Sequence, residues 1–207
     1  MKIKLRCLPA VAVGLSLALV SSAQKTEFDK ITDLTARIEI PGLTLLPPQE
    51  TGWEYKKITP ARTQFGKVGT QKGQSLAGLV VLSKLPNIGS KEEFMKVVSE
   101  QRSRNTDNPR FENLINEEVF STEKNTPAVR YHTKYKDFGA TNLPKGASYL
   151  IVEDIGIMCR HPDNKNVGVT IALSQRSLPE EAIENFEKLA NDFIKNAEFI
   201  PLPHQSP

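Results

Sequence analysis

Residues Ala147 to Gln175 read ASYLIVEDIGIMCRHPDNKNVGVTIALSQ, and the fold is decided by how this stretch is parsed. Pro162, Asp163, Asn164, Lys165 and Asn166 form a polar block of residues that favour tight bends. On either side lie apolar, β-branched runs, Tyr149 to Val152 before the block and Val167, Val169, Ile171 and Leu173 after it. The second run alternates with Gly168, Thr170 and Ala172, which is the period of a strand. In the first run Ile155, Ile157, Cys159 and His161 share one face, and Asp154, Gly156, Met158 and Arg160 share the other. The stretch therefore predicts two strands joined by a turn, with Cys159 pointing into a core.

Working outward, the C-terminal segment predicts a helix opening at Ser177, with Pro179 in its first turn and Glu180 completing a capping box. Its buried stripe is Ile183, Phe186, Ala190, Phe193 and Ala197, widened by Leu189 and Ile194. Upstream, Val129, Tyr131, Thr133 and Tyr135 alternate with Arg130, His132, Lys134 and Lys136, so a strand carries one buried face and one basic stripe. The stripe is a candidate binding surface for an acidic partner. Neutralisation across strands by Glu117, Glu118 or Glu123 is the plainer reading. Asn125, Thr126 and Pro127 predict the turn before this strand, and Phe111 to Phe120 an extended segment before that. Ser90 followed by Glu93 is a capping box opening a helix that ends near Asn105, with Phe94, Val97, Val98 and Gln101 on one face. Thr63 to Val68 and Leu76 to Leu85 read as a hairpin, and Trp53 as a core anchor. Ile38, Ile40, Leu43 and Leu45 make a strand-like pattern broken at Pro41-Gly42 and stopped by Pro47-Pro48.

At the N-terminus, Lys2, Lys4 and Arg6 precede an apolar span from Leu8 to Val20 and the small residues Ser21, Ser22 and Ala23. This has the form of a secretory signal peptide, and the span is short of the ~20 residues a membrane-crossing helix needs. The expected organisation is a leader over 1–23, a loosely held lead-in over 24–35, one domain over 36–200 and a flexible tail over 201–207 in an exported, periplasmic or secreted protein. Three of the 27 basic residues lie in the leader, leaving 24 against 24 acidic ones. A chain of zero net charge lacks the positive excess of a general nucleic-acid or anionic-membrane binder. Cys7 leaves with the leader, so Cys159 has no partner for an intramolecular disulfide.

Strands outnumber helices and sequence neighbours look hairpin-connected, which predicts an α+β fold with a single antiparallel sheet flanked by helices. The Pro47-Pro48 to Trp53 entry, the Ser90 helix and the strand-strand-helix ending from Tyr149 to Phe193 together resemble the PsbP and Mog1 type of α-β-α sandwich. That resemblance implies a non-catalytic accessory protein that binds another exported protein or a small ligand. It carries over no catalytic residue.

Enzyme chemistry would have to rest on Cys159 and His161, with His132 nearby. Side chains two apart on a strand lie about 6–7 Å apart, too far for direct proton transfer unless the strand ends at Arg160. A thiol enzyme is the runner-up reading, a buried structural cysteine the commoner case, and an intermolecular disulfide a third. Cys159, His161, Asp163 and His132 show no metal-site spacing, and His204 sits in a Pro-rich tail. The chain has no GxSxG, HExxH, GxxxxGK[ST] or GxGxxG motif, so neither a cofactor nor a metal is called for.

Overall fold

Pro162 and Asp163 turn the chain between β9 (Leu150–His161) and β10 (Asn164–Ser177), and this hairpin lies inside an eight-stranded antiparallel sheet. The computed structural model describes residues 28–103, 108–141 and 143–203. The expected leader over 1–23 and His204 fall outside them. Cys159 stands opposite Val169 on β10 and Ala128 on β8 (Thr126–Asp137), and a bulge between Asn164 and Gly168 takes up the rest of the polar block. β9 is buried along most of its length, and β10 is buried or half-buried from Val167 onward, as the apolar runs require.

The remaining strands of this sheet are β1 (Asp29–Lys30), β4 (Glu54–Thr59), β5 (Arg62–Val68), β6 (Ser75–Lys84), β7 (Phe111–Glu123) and β8 (Thr126–Asp137). Across the sheet the order is β1-β4-β5-β6-β10-β9-β8-β7. The β7–β8 turn sits at Lys124 and Asn125, both at positive φ, which suits the twist of a two-residue hairpin. Thr126 and Pro127 are already strand, paired with Glu123 and Thr122, and the Thr126 hydroxyl donates to Arg160 O at 2.9 Å.

The expected single sheet is joined by a second one. Ile38 to Leu45 is a hairpin, β2 (Ile38–Ile40) and β3 (Leu43–Leu45), turned at Pro41-Gly42 with Gly42 at φ 79°. Its third strand is β11 (Ala197–Phe199). The lead-in also differs from expectation: Asp29 and Lys30 pair with Tyr55 and Glu54, and Ile31 N–H donates to Trp53 O at 3.0 Å. A two-residue strand is fixed by its neighbours and not by its own pattern.

Two helices lie on opposite faces of the large sheet. Helix α1 (Lys91–Ser103) sets Phe94 and Val98 on Val129 and Met158. Ser90 Oγ accepts the Glu93 N–H at 3.1 Å, and Glu93 Oε2 accepts the Gly89 N–H at 2.6 Å, so the capping box forms with the carboxylate one residue further back. Helix α2 (Phe186–Lys195) and the small sheet cover the other face, where Phe186, Leu189, Ala190, Phe193 and Ile194 meet Phe65, Val80, Ile155, Ile157 and Leu173. Phe193 meets Phe65 edge-on at 5.3 Å.

The start of α2 corrects the sequence reading. Ser177 is the last residue of β10, paired with Ile151 and fully buried, and its hydroxyl has no hydrogen-bond partner. Pro179–Glu181 is a single 3₁₀ turn, and the helix begins only at Phe186, with no side-chain cap from Asn185. Pairing in a long strand outcompetes the local capping pattern.

Candidate functional site

Between the large sheet, the small sheet and the C-terminal end of α2 lies a cavity of about 430 Å³. Its floor is the central hairpin with Ile157, Cys159 and Ile171, and its back wall is Leu43, Ala197 and Phe199. Ile194 closes it from the helix. Polar groups gather at the mouth: Glu123 and Lys124 from the β7–β8 turn, Arg130 from β8, and Asn191, Asp192 and Lys195 from α2. An apolar interior with a few placed polar groups is the usual form of a small-ligand site.

The structure separates the candidate catalytic trio. Cys159 borders the cavity but is 4% exposed, and its Sγ lies 3.7 Å from Val169 O. Burial, with the Glu123 charge adding to it, pushes the thiol up to about 12, so the thiolate a nucleophile needs is suppressed. His161 is 1% exposed and spends both ring nitrogens on backbone: the Asp163 N–H donates to Nδ1 at 3.2 Å, so Nε2 carries the proton and donates to Gly42 O at 2.8 Å. Its ring stands edge-on to Phe199 at 5.0 Å. His161 thus ties the β2–β3 turn to the large sheet. His132 Nε2 is 2.8 Å from Glu153 Oε1, outside the cavity.

The basic stripe is paired residue by residue. Arg130 Nε donates to Glu123 Oε1 at 2.7 Å and its Nη1 to Asn191 Oδ1 at 3.0 Å. Lys134 joins His132 on Glu153, at 3.3 Å, and Lys136 donates to Glu112 at 2.7 Å. Of the stripe, only Arg130 reaches the cavity. The Arg130 guanidinium holds the Glu123 carboxyl below the usual carboxylate range. Gln175 completes a buried network, with Nε2 donating to Glu153 at 2.9 Å and Oε1 accepting the Ile183 N–H at 2.9 Å, which anchors the approach to α2.

Sequence reasoning brings Cys159 and Arg130 into view but misses Lys124, Asn191 and Lys195. Those three lie on a turn and on a helix end, and only the register of β7 with β8 and the seating of α2 bring them to one mouth.

A second polar cluster occupies the α1 face. Arg102, in the last turn of α1, stacks its guanidinium 4.2 Å over the Tyr131 ring and bonds to Glu118, Thr133 and Asn116. Asp154 stands opposite Thr133 in the register, and no described residue donates a hydrogen bond to its carboxylate. Burial raises it to about 7, against the opposing charges of Arg102 and His132. Among the described residues no group of three His, Cys, Asp or Glu is placed to hold a metal ion, and no helix is long and apolar enough to cross a membrane.

No family model matches the chain, and no curated protein matches it. Among solved structures it is similar to a mutant of the protein Mog1, at TM-score 0.44 and 11% identity, over 80% of this chain and 96% of that one. It is likewise similar to the Ran-binding protein Mog1p of Saccharomyces cerevisiae, at TM-score 0.42 and 11% identity, over 80% of this chain and 96% of that one.

Proposed function

We propose that this chain is a non-catalytic binding module, exported by its leader, that takes an apolar ligand or an apolar group of another exported protein into the cavity beneath α2. The observation that carries the reading is the cavity itself, about 430 Å³ with an apolar floor and polar groups confined to its mouth. That volume falls in the roughly 300–1,000 Å³ range of small-ligand sites. The thiol-enzyme alternative lacks support: the Cys159 thiol is pushed up to about 12. The nearest candidate base, His161, is committed to Gly42 and Asp163.

The test uses a neutral apolar dye, N-phenyl-1-naphthylamine, with the full chain. Its fluorescence should rise on binding. Ile171→Phe and Ile194→Phe, which push a ring into the cavity from floor and roof, should each weaken the dye about tenfold or more in chains that still melt cooperatively. Absence of binding, or binding indifferent to both substitutions, overturns the reading. So does rapid labelling of Cys159 by a thiol reagent in the folded Cys7→Ser chain.

A further inference from the structure

The charges at the cavity mouth are not balanced alike, and the imbalance bears on the kind of ligand. Glu123 is answered by Arg130 at 2.7 Å, and Asp192 by Lys188 at 2.5 Å. Neither Lys124 nor Lys195 forms a short ion pair with an acidic side chain among the described residues, although the Lys124 charge is felt at Glu123. Arg130 itself is held from two sides, by Glu123 through Nε and by Asn191 through Nη1. No described residue accepts from its Nη2. A guanidinium fixed in this way presents its remaining N–H groups with little rotamer freedom left to lose, which favours a planar anionic acceptor.

The C-terminal end of α2 would oppose an anion if its carbonyls pointed freely at the mouth. They are occupied. Lys124 Nζ donates to Lys195 O at 3.0 Å, Arg37 Nη2 donates to Asn196 O at 2.9 Å, and the Asn196 N–H returns to Asp192 O at 3.0 Å. The mouth therefore combines an uncommitted guanidinium edge with two ammonium groups that lack a short ion pair, Lys124 on the Lys195 carbonyl and Lys195 itself, above an apolar chamber.

We propose that the cavity takes a compact amphiphile with an apolar body and a single anionic head, the body on Ile157, Cys159 and Ile171 and the head on Arg130 Nη2, with Lys124 and Lys195 adding attraction. The inference rests on the binding-module reading above and names the ligand class for it. Arg130 is the specificity-determining residue, and Glu123 and Asn191 position it.

The experiment measures displacement of N-phenyl-1-naphthylamine from the full chain by decanoate, decanol and decyltrimethylammonium, each below its micelle-forming concentration, at low ionic strength. Decanoate should bind about tenfold or more tighter than decanol, and the cationic analogue weakest. Added salt should erode the preference for decanoate and leave decanol unchanged. In Arg130→Met the preference should fall below about threefold with decanol affinity retained. Because that variant also strands the Glu123 charge, the double variant Glu123→Gln/Arg130→Met separates lost attraction from new repulsion, and it too should lose the preference. Equal binding of decanoate and decanol by the native chain, or a preference that survives in the double variant, overturns the anionic-head assignment while the cavity reading stands. If the dye itself does not bind, the cavity reading fails and this inference with it.

Discussion

The two faces of the large sheet are covered by different means. The face under α2 is shielded by a helix and a second sheet, and its contacts run unbroken from Trp53 through Phe65 and Leu173 to Phe193. The face under α1 has one helix and a small apolar patch of Leu85, Ile88, Phe94, Val98, Val129 and Met158, beyond which Arg102, Tyr131 and Asp154 take over. The difference teaches where a binding cavity and a desolvated carboxyl can each be tolerated. A void of about 430 Å³ is sustained where surrounding apolar packing is thick, and an unpaired carboxylate is tolerated where packing is thin and an arginine lies near.

The largest effect expected from breaking this asymmetry comes from truncation before Ile183, which removes α2 and β11 and strips one face. The truncated chain should show no cooperative unfolding transition by circular dichroism, and a sharp one would mean that the α1 face alone carries the fold. Point substitutions sharpen the contrast. Phe193→Ala should cost about 4–5 kcal/mol in urea titration, since its ring is enclosed by helix, sheet and Phe65. Phe94→Ala should cost about 3 kcal/mol, because the smaller patch can collapse around the gap. Reversal of that order would show that α1 is the more tightly packed side.

Asp154 gives the next effect, with a sign set by linkage. Its folded-state value is raised to about 7 from 3.8, so its contribution to stability is fully present below about pH 4 and is lost as pH rises through 7. Asp154→Asn should match the native chain at pH 4 and exceed it by on the order of 2 kcal/mol at pH 8. An advantage for the variant that is the same at both values would place the effect in packing and not in charge.

The smallest effects concern two serines that look alike in sequence. Ser90→Ala should cost about 1 kcal/mol, since its hydroxyl caps α1. Ser177→Ala should be neutral or slightly stabilising, because its buried hydroxyl has no partner. Equal losses would restore a capping role to Ser177.

These serines also mark how far the sequence could be read. Ser-x-x-Glu at Ser90 lies next to a clear helical stripe and behaves as its local pattern says. The same spacing at Ser177 is overridden because β10 continues its ladder on β9 up to Ser177. The central hairpin was legible because Pro162 and Asp163 punctuate two strongly alternating runs. The small sheet was half legible: Ile38, Ile40, Leu43 and Leu45 gave the strand pattern, but nothing local announces that Ala197 to Phe199 returns to pair with it. The cavity was the least legible part. It draws single residues from strands, a turn and a helix end, and in the sequence nothing sets Arg130 apart from its neighbours His132, Lys134 and Lys136, whereas in the fold its bond to Asn191 does.

The small sheet has a consequence for how this chain reaches its native state. It brings segments from near the two ends of the domain into register, and the bond from Arg37 to Asn196 spans 159 positions. A chain emerging N-terminus first from a ribosome holds β2 and β3 without their third strand until residue 199 has appeared. Such long-range closure slows folding, and it makes completion of the fold a late event that waits for nearly the whole polypeptide.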